Sequence, residues 1–191
     1  MLARRYFREF TRLQKRLARP NHTSSLVIEE TFSRKSSGNA YYYCTFRDSA
    51  TQIPIHILGS FVRQLAEQNE NAFSVCRSFH AKHHPEARPP SLPTEAEIGE
   101  LLQEMSQHFT EVSLILDGLD ECGSAAGIDR MELTRVLSEL HEPSKGTIRI
   151  AIASRREQDI AGFLVSFTSI SIAAMSSDLE LYIEAEVASR G

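Results

Sequence analysis

VSLILDGLDE, residues 112–121, is the stretch whose reading decides the fold. A near-continuous apolar run suits a strand buried on both faces of a parallel sheet. The run ends at Asp117, and Asp120 and Glu121 follow within four residues. Ligands of open parallel sheets sit at the C-terminal ends of their strands, so this acidic cluster falls where an α/β protein does its chemistry. Carboxylates grouped there suit a hydrated Mg²⁺ and a water aimed at a phosphate. The complementary element would be a phosphate loop, G-x-x-x-x-G-K-[ST]. No such loop is written in the chain: none of Lys15, Lys35, Lys82 and Lys145 follows a glycine.

Working outward, strand and helix patterns alternate. On the N-terminal side, 24–35 reads as a helix ended around Ser36-Ser37-Gly38-Asn39, and AYYYCTF at 40–46 has the aromatic richness of a strand. Pro54 suits the first position of a helix carrying Ile57, Leu58, Phe61, Val62 and Leu65. Four prolines in 85–93 make a loop joining two halves of one domain. Thr94 and Glu97 have capping-box spacing, with Ile98, Leu101, Leu102, Met105 and Phe109 at helical spacing behind them. On the C-terminal side come a helix over 129–140, a strand over 148–153 (IRIAIA), a short helix over 157–165 and a strand over 168–173. Ser176 or Ser177 caps a last helix with Leu179, Tyr182, Ile183 and Val187. Helices placed between strands imply right-handed crossovers and a mostly parallel sheet. The expectation is α/β, with strands near 40–46, 112–117, 148–153 and 168–173.

Composition bounds the rest. A length of 191 residues suits one domain with a sizeable core. No run approaches the roughly 18 apolar residues of a membrane span, and no apolar h-region marks a secretory signal. Three cysteines, Cys44, Cys76 and Cys122, are too few for a disulfide framework and favour a reducing compartment. The net charge of −4 is lopsided: residues 1–19 hold seven Arg or Lys against Glu9, which is +6, so the remainder carries −10. Leu2, Tyr6, Phe10, Leu13 and Leu17 form one helical stripe, opposite the basic side chains. We therefore separate a basic amphipathic segment, 1–22, from a domain over 23–191. The segment reads as a helix docked on the domain, or as a mitochondrial or membrane-surface element; nucleic acid is not expected as a partner.

ILDGLDEC at 115–122, IASRRE at 152–157 and YYYCTFRDSATQ at 41–52 together resemble the NACHT-type P-loop NTPases of the STAND class. The likeness is to the nephrocystin-3-like N-terminal domain of fungal repeat-bearing proteins, over roughly residues 24–187. The resemblance implies a P-loop NTPase-like fold and ATP or GTP with Mg²⁺ as cofactor. It implies that Asp117 is the Walker B aspartate, holding Mg²⁺ through water, and that Asp120 and Glu121 orient or activate the attacking water. It makes Arg155 the sensor arginine near the γ-phosphate, a task suited to a permanently charged, bidentate guanidinium.

The departure from the family lies at the phosphate loop, where Arg19, Pro20 and Asn21 fall on the expected Gly, Lys and Thr. Pro20 supplies neither an ammonium nor a backbone N–H. The family's strand before that loop, between those matching 148–153 and 168–173, is not readable in 1–22 either. The expectation is a truncated or degenerate nucleotide-binding domain, cytoplasmic (mitochondrial is the alternative), without NTP hydrolysis of its own. Two other readings stay open: an interaction module that self-associates or pairs with intact NACHT relatives, and an inactive fragment of a larger signalling protein. Cys76, His80, His83 and His84 have a zinc-like spacing but no second paired cluster, and no metal is expected there. Asp48 is read as a cap after its strand, and Cys122 as a packing residue.

Overall fold

The computed structural model describes residues 37–86, 89–122, 130–142 and 148–170. The helices expected over 1–22, 24–35 and after Ser176 lie outside these residues, as does the replaced phosphate loop. Three strands form the described sheet: β1 (Ser37–Tyr43), β2 (Glu111–Asp117) and β3 (Ile148–Ala153). All pairs are parallel, in the order β1-β2-β3, with Tyr43 opposite Asp117 and Asp117 opposite Ala153. Helices α1 (Pro54–Gln68), α2 (Glu70–His83) and α3 (Glu95–Ser106) connect β1 to β2. Helix α4 (Met131–Leu140) lies between β2 and β3, and the short α5 (Gln158–Phe163) follows β3. The protein is an α/β domain built on a parallel sheet with packed helices.

The central strand explains itself. Val112 to Leu116 are all buried, as a continuous apolar run requires. Val112, Leu114 and Leu116 join Ala40, Tyr42, Ile148 and Ile150 in one core with Ile57, Leu58, Phe61, Leu65, Leu102, Met105, Leu133 and Leu137. Those helical residues are the apolar stripes read from spacing. Pro54 starts α1, and the Thr94 box is formed: the Glu97 N–H donates to Thr94 Oγ1 at 3.2 Å, while the Thr94 N–H donates to the Glu97 carboxylate at 2.9 Å.

Several features differ from the sequence reading, among them the short helix after β3, which spans Gln158–Phe163 and not 157–165. β1 runs over 37–43, not 40–46. Gly38 is no turn but a strand residue in close packing, where a Cβ would sit 2.9 Å from both Leu65 and Phe109. The strand stops because the Thr45 N–H is taken by Thr51 Oγ1 at 3.0 Å, within a turn capped by Asp48. Helix α2 is additional; its stripe was too weak to read, since only Ala72 and His83 of it are buried. Phe109, expected on the helix, lies past the end of α3 against Gly38. The strand expected over 168–173 is not formed at 168–170, and 171–173 lie outside the described residues.

The outer edge of β1 is closed by side chains. Gln64 accepts from the Tyr41 N–H at 3.1 Å and donates to the Tyr41 carbonyl at 2.8 Å. Gln68 does the same for Asn39, at 2.9 and 2.6 Å. Four helical residues rise about 6 Å, close to the roughly 6.6 Å between alternate strand residues. Two glutamines four apart therefore match two strand residues two apart, and they satisfy groups that an open edge leaves unpaired.

Candidate functional site

The acidic cluster begins where β2 ends. The Asp117 carbonyl accepts from the Cys44 N–H at 2.9 Å, and the next N–H, of Gly118, donates to the Ala153 carbonyl at 2.9 Å. The chain is thus gripped from both neighbouring strands before it turns. Gly118 sits at φ 80°, and a Cβ there would lie 2.9 Å from the Cys44 carbonyl oxygen; only glycine fits. A 3₁₀ turn over Leu119–Glu121 follows, anchored by the fully buried Leu119.

The turn meets IASRRE at the same end of the sheet. Asp120 Oδ1 accepts from the Arg155 N–H at 3.0 Å and lies 3.3 Å from the Ser154 hydroxyl. Asp120 Oδ2 is 3.6 Å from Arg155 Nε, with the arginine side chain 85% exposed and the aspartate 9%. Such an exposed ion pair contributes little; the main-chain N–H to a carboxylate is the firmer contact. Glu121 turns the other way, and its carboxylate accepts from the Phe46 N–H at 2.6 Å. Asp117 faces Tyr43 in register, and burial, Tyr41 and the Asp117 charge push the Tyr43 hydroxyl up to about 12.

The structure therefore brings Asp117, Asp120, Glu121 and Arg155 to one edge, but it splits the acidic pair. Asp120 holds the segment after β3, and Glu121 holds the loop after β1. Among the described residues, no group of three or more His, Cys, Asp or Glu could hold a metal ion.

Arg130 was not singled out from sequence. Its guanidinium donates to the Asp120 carbonyl at 3.0 Å and also bonds the Glu157 carboxylate. This half-buried arginine joins the start of α4, the acidic turn and the start of α5. Nothing local in sequence marks it, because its partners lie ten and 27 positions away.

Two cysteines adjoin the turn. Cys44 follows β1, Cys122 follows the turn, and both are buried. Cys122 Sγ donates to the Gln52 carbonyl at 3.2 Å and is hydrogen-bonded to the Cys44 thiol. That bond, with burial and the nearby carboxylates, pushes the Cys44 thiol up. On Cys122 it acts downward, opposed by burial and helped by the Arg130 charge.

The histidines of α2 diverge. The His80 and His84 rings stack at 4.1 Å, whereas His83 is buried against Phe79, with Nδ1 3.0 Å from Ser91 Oγ and Nε2 3.7 Å from Glu97. Asp48 caps its turn, accepting from the Ala50 N–H at 3.0 Å.

A family model described as Nephrocystin 3, N-terminal, matches residues 22–155, ending at Arg155. No curated protein and no solved structure matches the chain.

Proposed function

We propose, from the premise that this chain belongs to the nephrocystin 3 N-terminal family, that residues 117–121 and 154–157 are the acidic and arginine half of a nucleotide site. The domain is read as a degenerate NACHT-type module without NTP hydrolysis of its own. The observation that carries the reading is Asp120, whose carboxylate holds Ser154 and Arg155 beside the strand end at Asp117.

Mg²⁺ keeps several waters and is held by one or two carboxylates together with phosphate oxygens. That suits Asp117 as a ligand through water, and it suits a turn whose carboxylates point apart. When bound, the ion would neutralise charge on the β- and γ-phosphates. Arg155, exposed and only loosely paired, is free to swing toward a γ-phosphate. Asp120 and Glu121 would orient the attacking water. In the 191 residues no lysine stands in a phosphate loop, so the contacts that supply most transition-state stabilisation are not written here. Phosphate release from Mg-ATP or Mg-GTP should stay at background; hydrolysis abolished by Glu121→Gln would overturn the reading.

A second reading is favoured by one observation: Asp120 and Glu121 are already bonded to main chain. On it, the domain pairs with a second copy or an intact relative, with the edge of β1 excluded because Gln64 and Gln68 fill it. Among the described residues no helix is long and apolar enough to cross a membrane. A cytoplasmic location is proposed; mitochondrial import of residues 1–22 fused to a fluorescent protein would contradict it.

A further inference from the structure

We propose that Cys44 and Cys122 are a redox-sensitive dithiol, a modification site in which peroxide closes a disulfide between the end of β1 and the acidic turn. The inference goes beyond the nucleotide reading and does not rest on it. Three contacts place the two residues together. The thiols are hydrogen-bonded to one another. Gly118, between the turn and β2, brings its missing Cβ to 3.5 Å from Cys44 Cβ. Gln52 accepts from Cys122 Sγ at 3.2 Å through its carbonyl, while its side-chain amide donates to the carbonyl of Thr45, the neighbour of Cys44, at 3.0 Å. The backbone around both cysteines is therefore pinned before any bond forms.

The hydrogen bonds also set the order of events. Cys122 already gives its own proton to Gln52, so the proton between the sulfurs comes from Cys44. Cys122 is thus the acceptor, close to the Arg130 charge. When Cys122 gives up its own proton, its thiolate attacks hydrogen peroxide: an S–O bond forms, the O–O bond breaks, and the leaving hydroxide takes the released Cys122 proton to become water. Cys44 then attacks that sulfur. The S–S bond forms, the S–O bond breaks, and the departing hydroxide takes the Cys44 proton as a second water. Two thiols lose two electrons and one peroxide gains them. Burial of both sulfurs means that peroxide enters when the turn opens locally, and the neighbouring thiol then favours disulfide over further oxidation.

The test is titration of the full chain with hydrogen peroxide, followed by alkylation and non-reducing peptide mapping, with no nucleotide present. Cys44 and Cys122 should lose alkylation together and appear as one cross-linked peptide, restored by dithiothreitol, while Cys76 stays alkylated. In Cys44→Ser, dimedone should trap a sulfenic acid at Cys122. The wild-type map decides even where that variant fails to fold. Cross-links between chains through Cys76, over-oxidation of Cys122 with Cys44 intact, or both thiols unreacted while Cys76 oxidises would each overturn the proposal. Failure here leaves the nucleotide reading untouched, and failure of that reading leaves the dithiol untouched.

Discussion

The outer edge of β1 and the acidic turn after β2 both press polar side chains onto main chain, with different chemistry. At the edge, Gln64 and Gln68 are neutral amides that each take one bond from β1 and give one back to it, their remaining N–H turned to Ser60 and the Gln64 carbonyl. Donors and acceptors balance, and nothing is left over for a ligand. At the turn, Asp120 and Glu121 are carboxylates, which only accept and carry about four lone-pair sites each. The edge is architecture; the turn is architecture that also carries negative charge, and that charge suits a hydrated cation.

Mutations sharpen this contrast. The largest effect is expected at Gly118→Ala, which adds a left-handed penalty of about 1–2 kcal/mol to a 2.9 Å clash with backbone. Denaturant unfolding should show a loss of at least about 2 kcal/mol; an unchanged midpoint would mean that the turn is not gripped as described. Next comes Gln64→Ala with Gln68→Ala, expected to cost about 1–3 kcal/mol, since four bonds to β1 are lost and the exposed Gln68 contributes least. Self-association of this double variant, from a newly opened edge, would support the edge-closing role. A neutral result would show the edge to be covered otherwise.

Asp120 separates structure from charge. Asp120→Ala should cost about 1.5 kcal/mol through the Arg155 N–H, whereas Asp120→Asn keeps an acceptor and should stay within about 0.5 kcal/mol. Equal losses for both would assign the turn's stability to charge instead of to the hydrogen bond. The smallest effect is at Glu97, whose carboxyl is held below the usual range chiefly by the Thr94 N–H, with the Thr94 hydroxyl, His83 and Lys82 adding. A lowered folded value means that its contribution is present above the unfolded value of about 4.3 and is lost as pH falls through the folded one. Glu97→Gln should flatten acid unfolding below about pH 4; an unchanged acid limb would remove Glu97 from that account.

Much of the fold was legible because burial writes itself as periodicity. VSLILD and IRIAIA became β2 and β3 at the expected residues, and the stripes of α1, α3 and α4 became the core. What sequence could not give was hydrogen bonding at a distance. β1 began three residues early because Gly38 packs under Leu65 and Phe109, a contact 27 and 71 positions away in the chain. The gathering of Asp117, Asp120, Glu121 and Arg155 followed from parallel strands ending together, so it was readable. That Glu121 points to Phe46 while Asp120 points to Arg155, and that Arg130 clamps the turn, depends on side-chain directions that no spacing encodes.

The central claim is that this edge carries the acidic half of a nucleotide site without the phosphate-loop half. Isothermal calorimetry of the chain with Mg-ATP and Mg-GTP tests it most directly. The account predicts affinity no tighter than about millimolar, near −4 kcal/mol. Micromolar binding that Asp117→Ala abolishes would contradict it.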